Sequence, residues 1–216
     1  MQLETQFVTP QEGQPATTRQ GLLFVLSAPS GTGKDSVINA LKEQQADFHV
    51  VASVTTRAPR PGESEGNPYY FVNAAQFKRM VANNELIEHA EVHGNWYGQP
   101  IRPIRENLRA GRDVLLKIDV QGAATVRKKF PDAIYIFLVP GSIEELVERL
   151  TNRHTETEEQ IQLRLKNAQN ELAQKEQYEY IIENRQGRLD KAVKCLQAIM
   201  LAEHCRAHPR YIDIDI

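Results

Sequence analysis

Cysteine is scarce: Cys195 and Cys205 are the only two in 216 residues. Two cannot staple a fold, so stability is expected from an apolar core in a reducing, cytoplasmic compartment. Long hydrophobic runs are missing as well. The best, Leu22–Leu26 and Ile134–Val139, fall far below the ~18 residues that a membrane span needs. The first residues lack the charged start, apolar stretch and small-residue cleavage site of a secretory signal, so none is expected there. Neither sign of charge dominates. Lys and Arg total 26 against 28 Asp and Glu, a formal net charge of −2, which removes the global basic field that would advertise nucleic acid or an anionic membrane as partner. No internal repeat or low-complexity tract is evident. What remains is an ordinary globular composition, 41% hydrophobic and 25% charged, on a chain long enough to bury one core and a cleft.

Residues 1–20 are polar, turn-rich and aperiodic, and are expected to form a mobile tail. A short apolar run, Leu22–Ser27, then enters the glycine-rich segment Ala28–Lys34, and Val37, Ile38 and Leu41 follow at helical spacing. Short, unalternating runs at Val114–Ile118 and Ala133–Val139 predict strands buried on both faces. Helices are expected over Ile101–Ala110, closed by Gly111, and over Ala123–Phe130, closed by Pro131. Capping boxes at Ser142-Ile-Glu-Glu145 and Thr157-Glu-Glu-Gln160 open two more, the first running to about Leu150 and the second carrying Ile161, Leu165, Ala168 and Leu172 on one face. The last helix spans Leu189–His204. Strands alternating with helices predict an α/β fold with a parallel sheet flanked by helices. The interval from Ser53 to Gly98 breaks this rhythm and reads as a small β-rich insertion, with a helix near Ala74–Asn83 and short strands around Tyr70 and Glu88. Thr151–Glu156 reads as a polar loop.

The segment Ala28-Pro29-Ser30-Gly31-Thr32-Gly33-Lys34-Asp35-Ser36 carries the clearest chemistry. Gly31 and Gly33 let the backbone curl so that several N–H groups point into one concavity, and the helix that follows aims its positive end at the same place. Lys34 adds a flexible cation able to reach the β- and γ-phosphates of a nucleotide. Strand, glycine turn and helix in this order form a phosphate-binding loop. Two positions depart from G-x-x-x-x-G-K-[ST]: Ala28 replaces the first glycine, and Asp35 replaces the hydroxyl that normally sits on Mg²⁺. A carboxylate there either ligates the metal, directly or through water, or repels the phosphates; Ser36 is the other hydroxyl at hand.

A second anion site is suggested by Arg57 and Arg60 flanking Pro59, since paired guanidiniums capture phosphate. Taken with SAPSGTGKDS, the stretches SVTTRAPRPGE, ELIEHAEVHGNWYG, LLKIDVQGAATVR, PDAIYIFLVPGS and ERLTNRHTETEEQIQLRL resemble the guanylate kinase family in one order over about residues 21–204. The resemblance implies a P-loop nucleoside-monophosphate kinase fold in residues 21–207, with core segments 21–52, 100–150 and 178–207. It further implies a GMP-binding insertion over 53–99, a mobile lid over 151–177 and a C-terminal tail over 208–216. The implied reaction moves the γ-phosphoryl of MgATP to GMP or dGMP. Partners would be those two small molecules, with Mg²⁺ as cofactor and with neither nucleic acid nor membrane, in a monomer or a homodimer.

By position, the resemblance gives Arg57, Arg60, Tyr69 and Tyr97 to the GMP phosphate, and Ser53, Glu88, Gln99 and Asp119 to the guanine. It gives Lys34, Arg149 and Arg164 to the transferred phosphoryl, and Arg153 and Asn184 to adenine. A carboxylate such as Glu88 can accept from guanine N1–H and N2–H₂, which adenine cannot offer in the same pattern. The chain departs from the family at Gln99, where a hydroxyl residue is usual and whose amide is expected to donate to guanine O6 or N7. It also departs at Lys117, where an acid is usual, at His154, where glycine is usual, and at Arg185, where an acid is common. Two rival functions follow from these departures: a phosphopeptide-binding module without turnover, and a kinase of another phosphorylated acceptor such as a ribose phosphate. His89 and His93 do not make a zinc motif, and the run Arg102, Arg105, Arg109, Arg112 reads as a solvated face.

Overall fold

A computed structural model describes residues 20–44, 48–92, 94–151 and 158–213. The expected N-terminal tail therefore lies almost wholly outside the described residues, as do His93, Arg153 and His154. In chain order the elements begin with β1 (Leu23–Ser27), α1 (Lys34–Gln44), β2 (Phe48–Val50), β3 (Ser53–Thr55), β4 (Ser64–Glu65) and β5 (Pro68–Phe71). There follow α2 (Ala74–Ala82), β6 (Leu86–Val92), β7 (Asn95–Pro100), α3 (Ile101–Arg109), β8 (Asp113–Lys117) and α4 (Val120–Lys129). The chain closes with β9 (Ile134–Pro140), α5 (Ile143–Thr151), α6 (Glu158–Leu172), β10 (Tyr180–Asn184) and α7 (Leu189–His204).

The expected parallel sheet is present as a five-stranded layer in the order β10-β9-β1-β8-β2. Its two faces sort alternate residues into two cores. Leu23, Val25, Val114, Leu116, Tyr135 and Phe137 pack with Ile104 and Leu108 of α3 and with Val120, Ala123 and Val126 of α4. Phe24, Leu26, Leu115, Ile134, Ile136 and Leu138 pack with Val37, Ile38 and Leu41 of α1 and with Val193, Leu196 and Met200 of α7. A strand with helices on both sides needs apolar residues at every position, which is why these runs do not alternate. Helix α4 starts three residues before its expected start at Ala123, because the Asp119 side chain accepts from Gly122 N at 2.7 Å and so caps the chain earlier.

Residues 53–100 supply a second five-stranded sheet, ordered β4-β5-β3-β7-β6. Its strands at Ser53–Thr55, Ser64–Glu65 and Asn95–Pro100 add to those expected around Tyr70 and Glu88. Helix α2 is closed at its start by a capping box in which Asn73 and Gln76 exchange side-chain bonds of 2.8 Å. Val54, Phe77 and Leu86 form the small core under this sheet.

Candidate active site

The glycine turn follows the C-terminal end of β1, a central strand of the parallel sheet, where open α/β sheets carry their ligand crevices. Gly31 and Gly33 sit at φ of +87° and +88°, a region that disfavours side chains. At Gly33 a Cβ would also meet Asn184 Nδ2 at 2.7 Å. The turn is braced from behind: Asn184 Nδ2 donates to the Thr32 carbonyl at 2.7 Å and Arg149 donates to the same oxygen at 3.0 Å. Arg149 also donates to the Asn184 carbonyl at 2.9 Å and reaches Glu145 at 3.4 Å. Lys34 turns inward, its Nζ donating to the Ile118 carbonyl at 2.9 Å. Burial, and then the neighbouring Lys117 ammonium, lower its pKa to about 8.

The second sheet forms the facing wall. A cleft of about 300 Å³ is lined by Ala28, Ser30, Lys34 and Asp35 on the loop side and by Ser53, Arg60, Tyr69, Glu88, Tyr97 and Gln99 opposite. Lys117, Ile118 and Asp119 at the end of β8 form its floor, and Arg164 and Glu171 reach it from α6. Glu88 is 4% exposed. Burial, with Asp119 adding to it and Lys129 opposing, raises its pKa to about 8. Its carboxylate lies so close to α4 that a Cβ on Gly122 would stand 2.8 Å from Glu88 Oε2. Gln99 is 1% exposed; its amide donates to Ser53 Oγ at 2.6 Å and to the Lys117 carbonyl at 3.5 Å, while its Oε1 has no hydrogen-bond partner.

Twelve residues expected at the site line this cleft: Ala28, Ser30, Lys34, Asp35, Ser53, Arg60, Tyr69, Glu88, Tyr97, Gln99, Asp119 and Arg164. Others stand back from it. Pro29, Gly31, Thr32 and Gly33 shape the turn, Arg149 and Asn184 hold it from behind, and Ser36 is exposed on α1. Arg57 is folded onto Glu63, donating to both carboxylate oxygens at 2.8 and 2.9 Å, with its guanidinium 5.3 Å from the centre of the Tyr69 ring. Burial works against its charge, but hydrogen bonds to Glu63 and Tyr97 outweigh that and raise its pKa. In this structure the Gln99 amide donors go to Ser53 and the Lys117 carbonyl, and its Oε1 is the atom with no partner.

Five cleft residues were not foreseen as site residues: Ala90, Val92, Lys117, Ile118 and Glu171, of which Lys117 and Glu171 are charged. Glu171 stands seven positions after Arg164 on α6, a spacing that puts both on one helical face, and this was the available signal. Lys117 stood out only as a departure from a pattern. Its Nζ donates to Asp35 at 2.7 Å across 82 residues of chain.

Comparison with known proteins decides the family. The guanylate kinase family model matches residues 20–203. The chain belongs to the guanylate kinase family. It is 45% identical over 187 residues to the guanylate kinase of Halalkalibacterium halodurans, an alignment covering 87% of this chain and 91% of that protein. It is also 40% identical over 214 residues to a rice protein, guanylate kinase 2, chloroplastic/mitochondrial, covering 98% of this chain and 75% of that one. Among solved structures, a guanylate kinase from Anaplasma phagocytophilum superposes with a TM-score of 0.73 at 37% identity, covering 88% of this chain and 89% of that one. The α/β architecture is thus the P-loop fold of this family. No helix among the described residues is long and apolar enough to cross a membrane.

Proposed function

We propose that this chain transfers the γ-phosphoryl group of ATP to GMP or dGMP. The observation that carries this reading is the shared cleft: Lys34 and Asp35 of the glycine turn face Arg60, Tyr69 and Glu88 across one cavity. In-line phosphoryl transfer needs positioning and charge neutralisation more than proton chemistry. The turn and the start of α1 hold the donor's phosphates, and Lys34 supplies the cation at the group that moves. Arg60 and Tyr69 hold the acceptor phosphate, joined by Arg57 once it exchanges Glu63 for substrate. Glu88 accepts from guanine N1–H and N2–H₂, and the unpaired Gln99 Oε1 offers a second acceptor to the same edge. Arg164 brings charge from α6, over residues that we assign to the lid. Arg149 acts first through the turn, holding Thr32 in place, and Asn184 shares that work.

The residues fit Mg²⁺. Asp35 lines the cleft beside Lys34 with a side chain 76% exposed. A hard carboxylate beside incoming phosphates suits an ion that binds one or two carboxylates plus phosphate oxygens and water. When bound there, Mg²⁺ would neutralise phosphoryl oxygen charge. Cys195 and Cys205 are unpaired, in keeping with a reducing compartment such as the cytoplasm.

The test is a coupled ADP-release assay with MgATP and a panel of GMP, dGMP, AMP, CMP, UMP and ribose phosphates. Turnover is expected with GMP and dGMP. Binding of GMP without turnover would replace the reading with a recognition module, and turnover of ribose phosphate alone would replace the acceptor.

A further inference from the structure

We propose that Lys117 is a catalytic cation of the transfer step, held by Asp35 at the junction of the donor and acceptor phosphates. The inference rests on the transferase reading above and adds a residue to it. Lys117 is the last residue of β8, and β8 pairs with the strand that feeds the glycine turn, Lys117 opposite Leu26. This places its side chain at the carboxyl edge of the sheet, where the turn and the second sheet come together.

Two contacts fix the ammonium there, and a third holds the backbone of the same residue. Asp35, in the first turn of α1, takes it at 2.7 Å. The Tyr69 ring, on the acceptor wall, lies with its centre 5.1 Å away. The backbone carbonyl of the same Lys117 receives the Gln99 amide. One side chain thus touches the donor wall and the acceptor wall, and both walls line the same cleft.

The burial of a charged Lys117 in the cleft lining argues for use rather than bracing. The Lys117 side chain is 13% exposed and that of Asp35 is 76% exposed. An ammonium drawn out of water is costly unless it is paired, and a neutral side chain of similar length would fill the space without that cost. Asp35 and Tyr69 more than offset that cost and hold the Lys117 pKa above its ordinary value, so the cation stays charged at the cleft. The arrangement makes sense if the cation is there for an anion that arrives. A triphosphate on the turn and a phosphate beside Tyr69 and Arg60 meet in the space between the walls. The bond being broken and the bond being formed share a phosphoryl group whose oxygens pass this ammonium. Charge aimed in advance at a transferring phosphoryl group is worth most in the transition state.

The test is a set of variants assayed with MgATP and GMP: Lys117→Met, Lys117→Gln, Lys117→Arg, and Asp35→Ser with and without Lys117→Met. Single-turnover rates, both KM values and thermal melting are measured for each, and calorimetry gives the GMP affinity in the absence of metal. Loss of the ammonium in Lys117→Met and Lys117→Gln is expected to lower the single-turnover rate about 10- to 100-fold. KM for GMP and the metal-free GMP affinity are expected to move less than about fivefold, and Lys117→Arg to recover most of the rate. The double variant is expected to remain as slow as Lys117→Met. If Lys117 serves only to neutralise Asp35, removing both charges returns the rate to that of the Asp35→Ser single variant, and that result overturns the proposal. So does a single-turnover rate within twofold of wild type in Lys117→Gln or Lys117→Met. The wild type in the same series separates the two readings: if it transfers nothing to GMP, the acceptor assignment fails, whatever Lys117 does.

Discussion

In the parallel sheet, Leu23, Phe24, Val25, Leu116 and Phe137 are all fully buried, with helices on both faces. In the second sheet the buried apolar cluster is Val54, Phe77 and Leu86, Ile87 packs toward the main core, and the buried polar side chains are Ser53, Thr55, Glu88 and Gln99. One sheet fills its interior with packing, and the other devotes much of its interior to polar groups, among which Glu88 and Gln99 line the cleft. The difference explains where stability and specificity reside. The donor platform rests on central strands whose middle residues are apolar and buried, and in the proposed function the acceptor wall discriminates because its polar atoms are costly to leave unpaired. Gln99 Oε1 and the raised pKa of Glu88 are the visible signs of that cost.

The largest expected effect breaks the platform's chemistry without touching its packing. Lys34→Met is expected to lower kcat/KM for both substrates by on the order of 10³-fold, read in the ADP-release assay, while thermal melting stays near wild type. Next is the acceptor wall. Glu88→Gln replaces an acceptor by an amide that can donate, and is expected to raise KM for GMP on the order of 100-fold while leaving KM for ATP within a fewfold.

The same substitution sharpens the contrast in stability. The carboxyl of Glu88 holds its proton up to about pH 8 in the folded chain and only to about 4.5 when unfolded. Between those values the folded state binds more protons, so wild-type stability falls as pH rises through this window. Glu88→Gln is expected to be more stable than wild type at pH 8.5, by on the order of 1–3 kcal/mol, and no different at pH 4; chemical denaturation at both pH values checks this. In the core, Leu116→Ala is expected to cost about 2–5 kcal/mol at either pH, with no selective effect on GMP.

A pH dependence probes the same carboxyl without a substitution. In the proposed function guanine is read by the Glu88 carboxylate, so GMP binding is expected to expel a proton below about pH 8. KM for GMP is expected to fall as pH rises from 6 to 8, by at most about tenfold per unit, and then to level. Lys34, lowered to about 8, loses charge above that pH, so KM for ATP is expected to rise there. Initial rates across pH 6–9.5 test both arms.

The parallel sheet was legible because its strands announce themselves. Leu23–Ser27, Asp113–Lys117 and Ile134–Pro140 are apolar runs bounded by polar turns, and α7 follows its apolar spacing from Leu189 to His204. The edge strands were not. Phe48–Val50 is three residues long and only half-buried, and Tyr180–Asn184 mixes buried Ile182 with exposed Ile181. The second sheet depends on register between distant short segments, such as Thr55 with Tyr97, which no local pattern records. Of the site, the glycine turn was readable because its chemistry is contiguous in sequence. The Asp35–Lys117 bond was not, since each residue looks anomalous alone and becomes intelligible only when folding brings the two together. Arg57 held by Glu63, six residues on, is a pairing that a loop sequence leaves undetermined.

The most direct measurement follows the phosphoryl group itself. ATP carrying ³²P at the γ position is incubated with the enzyme, Mg²⁺ and GMP, and the labelled products are separated. The account expects the label in GDP, with little in inorganic phosphate. Label that stays on ATP, or leaves only as inorganic phosphate in the presence of saturating GMP, would contradict a cleft that sets donor and acceptor face to face.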